Sequence, residues 1–433
     1  MSTASATKTR IISLDQFRGY TVAGMFLVNF LGGYTVCPLV LRHHNTYCSY
    51  ADTIMPHFLF AVGFAFRLTF GRRVATQGAA AAHFRVVRRL LGLVLVSLIV
   101  YVVGPRAVTG TWSELAEMGF WDAIKVPLKR DWFQTLMHIA VTSLWILPVI
   151  RCGAAIRILY MLASAVAHLC LSHWFYFEWV NSSPSGIDGG PLGFLTWTIP
   201  TIVGTLACDA VAGAQGRPRL FYMIFWSMIL MGLGWLFSCG TRLYDVPSDL
   251  IESHAGQKLA EHPVLPPSEE LENYDWKTLR AEPPFVPPPY TSVDAETGTP
   301  DAGIKTFRGQ FLDPPGKRPK DESYKYRKWN YWMMCQRAGT ISYLTFGAGL
   351  SLAVYVLFYV CCDILGWQIG LFRTFGTNAL AAYVLHMMID EAVSPFVTRD
   401  APGWYVLSSF LLFFGLTYLL VRHLEKSNIF LKL

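Results

Sequence analysis

The stretch Ser13–Phe70 reads SLDQFRGYTVAGMFLVNFLGGYTVCPLVLRHHNTYCSYADTIMPHFLFAVGFAFRLTF, and its reading decides the fold. Two apolar runs flank a short polar loop, and each is close to the roughly 20 residues a helix needs to cross a bilayer. Nearly every unusual polar residue lies at a helix end or in that loop. Asp15 and Arg18 open the first run three residues apart, on one helix face, where they can pair. Asn29 closes that run. His43, His44, Asn45 and Asp52 follow in the loop, and His57 comes directly after Pro56. A polar group at membrane depth is expensive and is a functional candidate by default. The plainer alternative is a structural ion pair and a loop that simply faces water.

The rest of the chain repeats the apolar pattern. Its 433 residues are 53% hydrophobic and 15% charged, which excludes an ordinary soluble domain. Ten segments reach spanning length: 14–36, 53–70, 86–104, 133–150, 155–177, 193–213, 219–240, 338–362, 373–391 and 403–422. The expected fold is therefore an all-α polytopic membrane protein. Residues 1–240 carry helices one to seven with the histidine loop, 241–337 form a long loop, and 338–433 carry helices eight to ten.

Charge placement orients the bundle. Arg67, Arg72, Arg73, Arg85, Arg88 and Arg89 cluster after the second segment, and Arg151, Arg157, Arg217 and Arg219 fall on the same side. Positively charged short loops stay inside, so both termini are expected in the cytoplasm and the histidine loop outside. The loop from Asn181 to Pro191 has no Lys or Arg and agrees. The 105–131 loop, with four basic residues, does not, and its TWSELAEMGFWDAI stretch reads as a helix lying on the membrane surface. No removable signal peptide is expected at the N-terminus.

The 241–337 loop holds 13 of the 24 prolines. It reads as an extended, irregular outer excursion that ends in an interfacial anchor, YKYRKWNYWMM. A nucleic-acid role for that basic, aromatic run is not expected, because it lies outside the cell. Of nine cysteines, Cys37 with Cys48, and Cys239 with Cys335, lie on one side, where a disulfide within either pair depends on an oxidising compartment. No metal-ligand spacing is present.

The block LDQFRG, then VNFLGG, then a loop histidine, then AD before a proline and an aromatic-rich helix, resembles the heparan-alpha-glucosaminide N-acetyltransferase family. Bacterial members of this family belong to the same transmembrane acyltransferase group. FGTNALAAYVLH (Phe375 to His386) and GPLGFLTWTIPTIVGTLACDA add to the likeness. The resemblance implies acetyl-CoA as a cytoplasmic donor, a saccharide amine outside as acceptor, a homodimer and a bacterial inner membrane. Where the family loop carries one histidine, this chain has two.

The residues themselves fit such chemistry. His43 or His44, with His44 the first choice, can take a proton from an attacking amine or hydroxyl. Asn29 can donate a hydrogen bond to an acyl oxygen gaining charge, or cap the helix ahead of Gly32 and Gly33. Asp52 can be the N-cap of the second helix, or orient a histidine. Tyr383, His386 and Asp390 on the ninth helix are candidates for the acceptor site, or for helix-to-helix hydrogen bonds. Donor contacts are expected from Asp15, from Arg18 with its planar fork of donors, from Asn378 and from His138. His138 and His168 also read as lone core histidines, and the family usually has an arginine near His138. A rival reading is a transporter or flippase without acyl chemistry, in which the same groups line a path. Another is an inactive relative whose outer loop binds a partner.

Overall fold

The computed structural model describes residues 11–43, 48–101, 111–182, 185–212, 218–239 and 331–431. His44 and nearly all of the proline-rich loop lie outside them. Among the described residues the chain is helical throughout, with no strand. The helices are α1 (Ile12–Leu31), α2 (Tyr50–Gln77), α3 (Ala79–Val100), α4 (Trp112–Glu117), α5 (Phe120–Val126), α6 (Thr135–Ile146), α7 (Ala154–Leu171), α8 (Phe177–Asn181), α9 (Phe194–Ala212), α10 (Leu220–Cys239), α11 (Ile341–Tyr359), α12 (Gly370–Thr377), α13 (Ala379–Val393) and α14 (Gly403–Lys426).

Among the described residues, six stretches are long and apolar enough to cross a membrane: Tyr50–Gln77, Ala154–Asn181, Gly190–Ala212, Leu220–Ser238, Ile341–Ile364 and Gly403–Lys426. With no water in the bilayer core, helices satisfy their own backbone groups, so this is an integral membrane protein of helical type. α6 is short, at 12 residues. The ninth expected segment is not one helix, because it breaks at Asn378 (φ −126°, ψ 46°) into α12 and α13.

α2, α9 and α11 form the centre. α9 is buried along most of its length, while α7, α10 and α14 present Leu159, Phe221 and Leu419 outward. Small residues let the central backbones touch, as is common between membrane helices. A Cβ placed on Gly63 of α2 would stand 1.9 Å from the Thr201 carbonyl oxygen of α9. One placed on Gly204 of α9 would meet the Phe60 carbonyl oxygen at 2.1 Å. α1 crosses α12 in the same way, through Gly19 and Gly376.

Distant parts of the chain complete α1. Its first two amides, at Ile12 and Ser13, donate to the two carboxylate oxygens of Asp363 at 3.1 and 3.0 Å. One turn on, the Gln16 side chain exchanges a pair of hydrogen bonds with the backbone of Ile369, at 3.1 and 3.2 Å. The helix start is thus capped from across the molecule rather than by a neighbouring Ser, Thr or Asp.

The end of the long loop differs from expectation. Tyr331, Met333, Met334, Cys335 and Gln336 are buried, and Tyr331 packs against Phe177 in a cluster at one end of the bundle. The described end of the aromatic run, Tyr331–Met334, is therefore packed into the bundle instead of resting at its edge, because its tyrosine and methionines have apolar neighbours to pack against. The 112–126 segment does form two short helices, and Phe120 and Trp121 are exposed. Cys37, Cys48 and Cys335 are free thiols.

Candidate functional site

At one end of the bundle, α1, α2 and α13 enclose a cavity of about 250 Å3 together with the start of α6. Sequence candidates from both halves of the chain meet there. Asn29, His43, Tyr383, His386 and Asp390 all line it.

His43 is fixed by Asp52. Its Nδ1 lies 3.0 Å from Asp52 Oδ1. Asp52 itself is 1% exposed, whereas the imidazole shows 47% of its surface, on the side that borders the cavity. The carboxylate accepts, so Nδ1 carries the proton and Nε2 is left as the basic nitrogen. Burial pulls the imidazole pKa down, but the Asp52 hydrogen bond and the charges of Asp52 and Asp188 outweigh it and leave it raised above 6.5.

Asp52 is not the N-cap that its position suggested. Ser49 is, and Asp52 stands three residues later as the return arm of a capping box. The Asp52 N–H donates to Ser49 Oγ at 3.4 Å, and the Ser49 N–H donates to Asp52 Oδ2 at 3.0 Å. The Ser49 hydroxyl is also 2.7 Å from the Arg42 carbonyl, which ties the histidine loop to the helix start. One carboxylate thus orients the histidine and closes the capping box, while the N-cap itself is Ser49. The pattern S-x-x-D was the missed signal.

Asn29 faces the cavity, and its amide makes no hydrogen bond among the described residues. It is not a cap. Gly32 takes that place, its N–H donating to Val28. An unengaged amide donor on the wall of a partly apolar cavity is available to a ligand.

Two residues that sequence reasoning passed over complete the wall: Asp188 and Gln336. Asp188 has φ 51°, a left-handed conformation that Asp tolerates. Its carbonyl takes the Trp197 indole N–H at 2.6 Å, and Gln336 Nε2 donates to its Oδ1. Gly189 N donates to Arg337 at 3.0 Å, so the 187–190 turn is docked on the segment that follows the long loop. Burial pushes the Asp188 carboxyl up to about 6, while the His43 charge and the Gln336 hydrogen bond hold it lower. Nearby, Lys129 donates to the Ser182 carbonyl and hydroxyl at 2.8 and 2.9 Å, at the end of α8. Burial and Lys125 lower the Lys129 pKa to about 8.

On α13, the His386 ring stacks on Phe26 with centroids 4.8 Å apart, and its Nδ1 donates to the Tyr383 carbonyl. Its Nε2 is then the acceptor nitrogen. The Tyr383 hydroxyl meets that of Tyr101, at the end of α3.

The remaining candidates lie elsewhere. Asp15 and Arg18 are about 20 Å along α1 from Asn29, at 1.5 Å per residue. The Asn378 side chain is already engaged: Nδ2 donates to Ile429 at 3.0 Å, and Oδ1 accepts from Leu431 N at 3.2 Å. It clasps the C-terminal segment at the helix break, away from the cavity. His138 is fully buried between Phe133 and Trp197. Neither ring nitrogen has a well-formed hydrogen bond, although the Phe133 carbonyl lies close. His57 bonds Ser351 at 2.7 Å and joins α2 to α11. Two arginines counted toward an inner positive field, Arg67 and Arg157, are both paired with Asp209.

Chemically, the cavity offers a base aligned by a carboxylate, an unengaged amide donor, a second carboxyl that titrates near neutrality, and an apolar wall. Comparison with known proteins adds nothing to this: no family model matches the chain, and no curated protein matches it significantly.

Proposed function

We propose that this chain is a membrane-bound acyltransferase that carries an acetyl group from acetyl-CoA to an amino or hydroxyl group of a saccharide. The observation that carries the reading is the His43–Asp52 pair on the wall of a cavity that also holds the unengaged Asn29 amide. Nε2 of His43 takes the proton of the acceptor as its nitrogen or oxygen attacks the thioester carbonyl carbon. The carbonyl electrons move to oxygen, where Asn29 Nδ2 donates a hydrogen bond. The C–S bond then breaks, and the coenzyme A sulfur leaves with the proton returned from His43. Asp52 holds the ring and favours its charged form between the two transfers.

In this reading the chain is a bacterial-type member of the heparan-alpha-glucosaminide N-acetyltransferase family. It crosses an inner membrane ten times, with both termini in the cytoplasm and the cavity at the outer face. The protein pairs as a homodimer. α1, α3, α6 and the broken α12–α13 unit supply the four further crossings. The anionic end of coenzyme A binds near Asp15 and Arg18, and its pantetheine arm reaches the cavity between helices. Polar groups gathered at helix ends favour an enzyme over a transporter, whose ligands usually sit at mid-membrane at broken helices.

The test is acetyl transfer by the purified chain in lipid nanodiscs. Saturating acetyl-CoA should raise thermal stability, by roughly 3 kcal/mol at a hundredfold excess over its dissociation constant. His43→Ala should abolish transfer and leave that stabilisation intact. Full transfer by a His43→Ala/His44→Ala double variant overturns the mechanism. Substrate movement across the bilayer without acetyl-CoA consumption overturns the enzyme reading.

A further inference from the structure

The wall of the cavity is unequal. α3 packs on α2 and α6, and α13 packs on α14 and α1, but α3 and α13 do not interlock. They meet at the Tyr101–Tyr383 hydroxyl pair, which the Thr135 side chain of α6 also hydrogen-bonds, and all three residues line the cavity. Here the cavity is closed by three side chains rather than by interlocked helices.

The surfaces on either side of this seam face lipid. Leu95 and Ile99, on the outer stripe of α3 that runs up to Tyr101, are 59% and 67% exposed. On α13 the cavity-lining positions Tyr383, Met387, Asp390 and Glu391 share one face, and the 63% exposed Met388 follows next around the helix. The cavity wall of α13 therefore passes directly into its lipid-facing surface. The interior matches such a border, with Met25, Phe30 and Met387 beside His43, Asp188 and Asp390. Among the described residues no lysine or arginine lines it.

We propose that the seam between α3 and α13 is a lateral portal, through which the polar headgroup of an amphiphile enters the cavity while its tail stays in the bilayer. The tyrosine pair is the latch. Parting it breaks a few side-chain hydrogen bonds, whereas separating interlocked helices would strip many apolar contacts. The carboxylates of Asp188 and Asp390 suit a headgroup that carries a positive charge. The proposal rests on the acyltransferase reading only in making this amphiphile the acceptor, which would then be lipid-linked.

Two measurements test it separately. The first needs no acyl chemistry. The full chain is placed in nanodiscs doped with a phosphatidylethanolamine that carries a diazirine in its headgroup, irradiated and digested. Label on cavity positions such as Met25 and Met387 is the expected result, with Tyr101→Ala increasing it severalfold. Label confined to outward positions such as Leu95 and Leu411 overturns the portal, as does cross-linking of this face to a second copy of the chain. The second compares hexadecyl and methyl glycosides of one amino sugar as acceptors. The tailed compound should be acetylated at least tenfold more efficiently. Bridging Tyr101→Cys and Tyr383→Cys with a long bis-maleimide should remove that advantage and leave stabilisation by acetyl-CoA unchanged, which separates a closed portal from mere partitioning into the bilayer. Equal use of both acceptors overturns the portal while leaving acyl transfer standing. Stabilisation by acetyl-CoA with no transfer to either compound overturns the lipid-linked acceptor, and the labelling result then decides the portal alone.

Discussion

Asp52 holds His43 with one carboxylate oxygen and begins a helix with the other. Oδ1 is 3.0 Å from the imidazole Nδ1, and Oδ2 is 3.0 Å from the Ser49 amide nitrogen. Asp52→Asn should therefore do two separable things. Loss of the charge should lower the His43 pKa, because burial is then opposed only by the more distant Asp188 charge, and the acid limb of the pH–rate profile should move to lower pH. The rate at neutral pH should fall about a hundredfold or more, at a stability cost of about 1 kcal/mol. A pH profile of kcat/KM checks this. An acid limb that stays in place would reduce Asp52 to a helix cap.

Asp188 should weaken the fold at neutral pH. Its carboxyl is 6% exposed, and its pKa is raised from 3.8 to about 6. A raised folded-state pKa contributes stability that is complete below the unfolded value and lost as pH climbs to the folded one. The window is therefore about pH 4 to 6, and the penalty above it is at most about 3 kcal/mol at 1.36 kcal/mol per unit. Asp188→Asn keeps an acceptor for Gln336 and tolerates the left-handed backbone. It should melt higher than the wild type at pH 7.5, equal it near pH 4, and lose activity. Melting curves at both pH values measure it, and a variant less stable at pH 7.5 refutes the account.

At the far end of the bundle, Asp209 is the carboxylate partner of Arg67 and of the fully buried Arg157. Asp209→Asn should destabilise by about 3–5 kcal/mol, because it leaves a buried guanidinium without its counter-charge. Adding Arg157→Met should recover most of the loss. Thermal denaturation of the single and double variants in one detergent reads the coupling.

Gly63→Ala should cost about 1–3 kcal/mol, since the new methyl has to displace the α9 backbone rather than a flexible side chain. Gly232→Ala, whose methyl meets nothing within 4 Å, is the matched control and should be near neutral. Equal melting temperatures for the two variants would show that the α2–α9 contact is looser than described.

The helical, membrane-embedded class was legible because apolar runs of spanning length are local. So was the gathering of Asn29 and His43 with residues of the ninth segment, because the end of the first helix, its loop and the outer half of that segment fall on one side of the bundle. Asp188 and Gln336 were not legible. They are 148 residues apart and make one hydrogen bond through an irregular turn, which leaves no periodic trace. The helix break at Asn378 was hidden for a related reason. Its side chain serves the backbone of Ile429 and Leu431, so what stops the helix lies 51 and 53 residues away. The burial of Tyr331 and Met334 contradicted a composition argument. Basic and aromatic text reads as an edge, yet those rings found a cavity to fill.

The Asp363 carboxylate that closes the start of α1 arrives 350 residues later in the chain. During synthesis, then, the first helix waits with its leading amides unpaired until most of the polypeptide has been made. The Asp188 turn waits likewise for Gln336. The cavity is complete only once Gln336 has been made, although His43 precedes it by 293 residues. A ribosome stalled after α10 would leave a bundle holding the histidine loop but lacking its second wall, with polar backbone open to quality-control proteases.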